Sequence, residues 1–70
     1  MTISNFKTSM IAKAKRRGGI WENFGQKEIH TLKDKYKYDR YSHDEKMKKI
    51  VQQIDELDNW CMTFDLSQLN

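Results

Sequence analysis

Met47, Ile50, Ile54, Leu57, Cys61 and Phe64 recur at alternating steps of three and four residues. That spacing brings all six onto one face of a continuous helix, whereas a strand would alternate its side chains every second residue. Val51 and Trp60 flank the ladder and widen it beyond the two-position seam of a coiled coil, a shape suited to burial in a globular bundle. Ser42 stands just ahead of the run with Glu45 three residues later. A hydroxyl and a carboxylate so placed can each satisfy an orphan backbone donor, which predicts an N-cap at Ser42 and a helix over 43–64.

Two shorter segments carry matching apolar faces. Ile3, Phe6, Met10 and Ala14 share one side of a predicted helix over 3–17, and Gly18–Gly19 supply its stop. Lys13, Lys15, Arg16 and Arg17 crowd its last turns, where cations complement the negative end of the helix dipole. Asn23 and Gln26 form a second capping-box pattern ahead of Gly25, Ile29, Leu32 and Tyr36, which again share a face. This predicts a helix over 24–36 in which Gly25 allows close approach of a neighbour. The stretch 37–41 breaks the spacing and reads as a loop. With no proline in the chain, nothing interrupts these helices. The expected fold is all-α, a small three-helix bundle with a long C-terminal amphipathic helix, in a single domain spanning 1–70.

Seventy residues lie near the lower size limit for folding without staples. The lone cysteine, Cys61, cannot form an intrachain disulfide, and its place on the apolar ladder reads as a reduced thiol used as a small hydrophobe. No apolar run approaches the roughly 18 residues that span a bilayer, and the first ten residues lack a secretory signal pattern. A cytoplasmic protein without a membrane partner is expected. The net charge is only +3, but residues 1–20 carry five cations and no acid, and 51–70 carry four acids and no base. Such a basic head and acidic tail can draw different partners or pair two copies.

Catalytic and cofactor patterns are lacking. His30, His43 and Cys61 show none of the close spacings of a zinc site. Cys61 sits among acids on an apolar face, which would raise its pKa and leave it inert. The three glycines at 18, 19 and 25 build no phosphate-cradling loop. Asp55, Glu56 and Asp58 read as a solvated helix face rather than an acid–base pair. No enzyme activity, metal or cofactor is expected.

Two binding readings remain. The aromatic side chains Trp21, Phe24, Tyr38, Tyr41 and Trp60 exceed what three short helices fully bury, and surface aromatics anchor protein interfaces. Trp21, Phe24, Tyr38 and Tyr41 are the candidate protein contacts, with Arg16 and Arg17 steering an acidic partner. Against this, Trp21 and Trp60 can simply plug the ends of a bundle. The alternative is nucleic acid, bound by Lys13, Lys15, Arg16 and Arg17 with Lys35, Lys37 and Arg40. The stretch 33–41 interleaves these cations with Tyr36, Tyr38 and Tyr41, a composition suited to phosphate contact and base stacking. Asp34, Asp39, Asp44 and Glu45 lie among them and oppose it. A homodimer through the outer edge of the ladder is a third reading.

The run Trp21-Glu22-Asn23-Phe24-Gly25-Gln26-Lys27-Glu28, the run Leu32-Lys33-Asp34-Lys35-Tyr36 and the run Asp58-Asn59-Trp60-Cys61-Met62 together resemble small uncharacterised proteins encoded by bacteriophages. The likeness spans about half the chain and carries over no functional residue. It implies a small regulator in the host-cell cytoplasm that binds a host or phage protein and alters its function.

Overall fold

A computed structural model describes residues 2–69. Helix α1 (Ile3–Arg16), helix α2 (Gln26–Lys35) and helix α3 (Glu45–Thr63) are followed by a short 3-10 turn, Leu66–Leu69. No strand occurs among the described residues. No described helix is long and apolar enough to cross a membrane.

The expected faces are the buried ones. Met10 and Ala14 of α1, Ile29 of α2, and Ile54, Leu57 and Cys61 of α3 form the core together with Phe24. Ile54 and Leu57 are wholly enclosed, each contributing about 1.5–3 kcal/mol of apolar burial. Met47 is the exception on the ladder: it is only half-buried and lies outside the packed set. The reason is register. The start of α2 faces Cys61 through Gly25, and the residues after its end reach Asp55 through Tyr38. The first turns of α3 therefore project past α2.

The helix ends follow side-chain chemistry more closely than the sequence patterns do. Thr2 caps α1 by accepting the Asn5 N–H. At its other end the Gly19 N–H donates to Ala14 and the Gly18 N–H to Lys15, a Schellman closure that needs the left-handed φ of +67° at Gly18. The predicted Asn23–Gln26 box does not form. Asn23 is itself left-handed, the N-cap is Gly25, and no side chain caps α2. A turn through 22–25 takes the first helical turn instead, so α2 starts two residues later than predicted.

The cap of α3 is likewise displaced. Asp44 accepts the Lys46 N–H at 2.8 Å, while Ser42 accepts the Asp44 N–H. Ser42 thus shapes the turn before the helix rather than capping it, and Glu45 is the first helical residue. A carboxylate is the stronger acceptor for the first amides of a helix, which favours Asp44 over the hydroxyl. Phe64, expected as the last helical residue, is extended. That turn of the chain swings its ring back against the bundle.

The rings gather at one end. Phe24 lies at the centre, with its centroid 5.1 Å from Trp21, 5.6 Å from Trp60 and 5.3 Å from Phe64. Edge, tilted and stacked contacts of this kind add about 0.5–1.5 kcal/mol each beyond area burial. Both tryptophans close the same end of the molecule, where the α1–α2 connection meets the end of α3.

Candidate functional site

Helix α3 is the hub. Both α1 and α2 pack against it, yet no Cα of α1 comes within 8 Å of a Cα of α2. The side chains between them are long, and they bridge the gap without closing it. What remains is an open cleft of about 520 Å³. Phe6 and Leu32 supply apolar surface over the buried Met10, Ser9 and Thr31 supply hydroxyls, and Lys13, Arg17, Lys27 and Glu28 supply charge.

Helical geometry selects which cations reach it. Lys13 and Arg17 are four residues apart and share the inner face of α1 with Phe6 and Met10. Lys15 lies on the opposite side, beside Thr8, Ile11 and Ala12, and Arg16 is exposed. The dense run 13–17 is thus divided around the helix rather than presented as one patch. Lys13 makes a loose 3.9 Å ion pair with Glu28. The Arg17 guanidinium lies 4.2 Å from the Trp21 ring centroid, a cation–π contact that orients it at the cleft mouth.

The second predicted cationic segment is engaged by its own neighbours. Lys33 sits over the Tyr38 ring at 5.0 Å, and Lys35 over Tyr36 at 5.5 Å. The Tyr38 hydroxyl donates to Asp55 Oδ1 at 2.8 Å, and the Arg40 guanidinium donates to Asp55 Oδ2 at 3.1 Å. Asp55 is therefore the clasp of the α2–α3 loop rather than part of a plain solvated face, a role that sequence spacing did not reveal. Partial burial alone would raise its pKa. The bonds from Tyr38 and Arg40, with the charges of Arg40 and Lys33, outweigh that and hold it below the ordinary carboxylate value. Burial, then the bond to Asp55, raises the Tyr38 phenol above its ordinary value.

The predicted protein contacts do not form one surface. Phe24 is 8% exposed and belongs to the core, so it is withdrawn as a contact: the turn at 22–25 points it inward. Trp21 is half-buried against it, whereas Tyr41 is 86% exposed. The α2 helix, ten residues or about 15 Å long, separates Trp21 and Arg17 at one end from Tyr38 and Tyr41 at the other. Lys37 is exposed but occupies a left-handed turn.

Cys61 is buried, and that burial, reinforced by Asp58 and Glu28, pushes its thiol up to about 11. So high a value leaves almost no thiolate near neutral pH. Among the described residues no three His, Cys, Asp or Glu side chains converge as metal ligands would. Comparison with family models, curated proteins and solved structures finds no match.

Proposed function

We propose that this chain is a non-enzymatic interaction module that binds and modulates another protein through the face formed by α1 and α2. The observation that carries the reading is the unclosed α1–α2 cleft, with apolar surface between two helices and charged groups at its edges. Grooves between helices receive side chains of a partner segment. The resemblance of 21–36 and 58–62 to small bacteriophage proteins is in keeping with this reading and makes the partner a host or phage protein.

Nucleic-acid binding is the weaker reading. A phosphate-binding surface needs several cations on one face. Here Lys15 is turned away from Lys13 and Arg17, while Arg40 is held by Asp55 and Lys35 lies over Tyr36. Tyr36 and Tyr38 are covered by lysines rather than offered for base stacking.

The test places a photo-crosslinking amino acid at Ser9 or Thr31, both exposed on the cleft, and at Glu56, exposed on α3. Irradiation in the producing cell is expected to trap a discrete protein from the two cleft positions and not from Glu56. Equal trapping at all three, or tight salt-sensitive binding of a 20-base-pair DNA or RNA duplex by the purified chain, would overturn the reading.

A further inference from the structure

We infer that the cleft is built for an acidic peptide segment of its partner, one that places an apolar side chain against Phe6 and Leu32 and carboxylates against Arg17 and Lys27. This rests on the protein-binding reading above and specifies the chemistry of the partner.

The argument begins with charge balance. Lys13, Arg17 and Lys27 border the cleft with only Glu28 opposing them. Among the described residues, the carboxylates within 4.0 Å of a cation include one for Lys13 and none for Arg17 or Lys27. Glu22 and Glu28 line the neighbouring recess with Arg17 and Lys27, but no described carboxylate comes within 4.0 Å of either cation. Pairing them with carboxylates in a partly desolvated groove is favourable and directs the approach of an acidic partner.

Arg17 is also oriented for the task. Its guanidinium carbon lies over the Trp21 ring at 4.2 Å, a contact that confines the side chain and spends none of its N–H donors, which can make two-point contact with a carboxylate. The side-chain entropy that binding would cost is reduced in advance.

Length and shape favour a peptide over a small anion. The cleft follows α1 from Phe6 to Arg17, about 16 Å of helix. An amphipathic segment of about ten residues in helical form covers that span and sets its apolar side chains into the groove.

A display library of random 12-residue peptides, selected on the intact chain, tests this. Enriched peptides are expected to carry Asp or Glu around a Leu, Phe or Trp. A fluorescein-labelled winner should then bind R17E/K27E at least about tenfold more weakly, while K15E/R16E, with the same change in net charge, shifts affinity less than about twofold. Thr31→Trp, which fills the cleft and leaves every charge in place, should abolish binding. Circular dichroism of each variant verifies that it is folded.

Enrichment of neutral or basic peptides, no enrichment at all, equal weakening by both charge reversals, or full binding by T31W would each overturn the inference. Should any of these occur while Ser9 and Thr31 still crosslink a protein, the acidic-segment inference alone fails and the interaction module stands. Loss of the crosslinks removes the broader reading.

Discussion

A Cβ at position 25 would collide with Cys61 Sγ and stand 3.0 Å from Cys61 Cβ, in a backbone with φ of +78°. Two independent costs therefore attach to Gly25→Ala: a left-handed non-glycine residue, about 1–2 kcal/mol, and overpacking against α3, about 1–3 kcal/mol. Urea unfolding is expected to show a loss of about 2–5 kcal/mol, a large share of the roughly 4–10 kcal/mol that a chain this size holds. Adding Cys61→Ala should recover part of the loss, since it removes the sulfur but not the backbone strain. Strict additivity of the two substitutions would show that positions 25 and 61 do not touch. The apolar role of Cys61 follows from its ladder position. That its sulfur fills the space of a missing Cβ does not, because this depends on where the turn before α2 places the backbone.

Helix ends divide what the sequence reveals from what it conceals. The buried faces of α1 and α3 were legible because a 3.6-residue period is an internal property of each segment. The caps were not, since Ser42, Asp44 and Asn23 are all competent cap residues and only the incoming chain direction chooses among them. The end of α2 is a further case. Tyr38 N–H donates to Lys33 and Lys37 N–H to Asp34, a Schellman closure with Lys37 at φ +52° where glycine is usual. The Lys33–Tyr38 contact is the side-chain pairing that accompanies such a closure. A lysine–tyrosine alternation that reads as a nucleic-acid surface thus serves a helix stop. Lys37→Gly should relieve the strain and, net of the added freedom of the unfolded chain, raise stability by about 0.5–1 kcal/mol; a lowered urea midpoint would contradict this.

The clasp that follows is pH-dependent. Because Asp55 has a lower pKa folded than unfolded, its contribution is complete above the unfolded value of about 3.9 and is lost as pH falls through the lower folded value. Asp55→Asn is expected to cost about 0.5–1.5 kcal/mol near neutrality, toward the lower end because the carboxylate is 36% exposed. The gap between the two proteins should narrow progressively as pH falls below the unfolded value. Asp65, also held low by the Ser67 hydroxyl, is common to both and cancels. A gap independent of pH would place the effect elsewhere than in the Asp55 charge.

Across the molecule the decisive quantity is how far each helix extends along the others. The cleft could not be read from the chain because it arises from the spacing of α1 and α2 on α3. The division of the 13–17 cations could be anticipated from 100° per residue, but not which half would face a groove. The same placement leaves the molecule 43 Å long and only 19 × 18 Å across. Helix α3, 19 residues or about 28 Å, therefore receives unequal support. Ile54, Leu57 and Cys61 are buried in the core, whereas Met47 and Val51 lie outside the packed set. Local opening should follow that gradient, since segments with little buried apolar contact open without global unfolding. Amide hydrogen exchange is expected to be slowest over 54–61, approaching the global unfolding limit, and at least about tenfold faster over 48–51. Uniform protection along α3 at low protein concentration would mean that the helix opens only as a unit. Protection of 48–51 that rises with protein concentration would instead show a second copy covering Met47 and Val51, because association stabilises only the surface it buries.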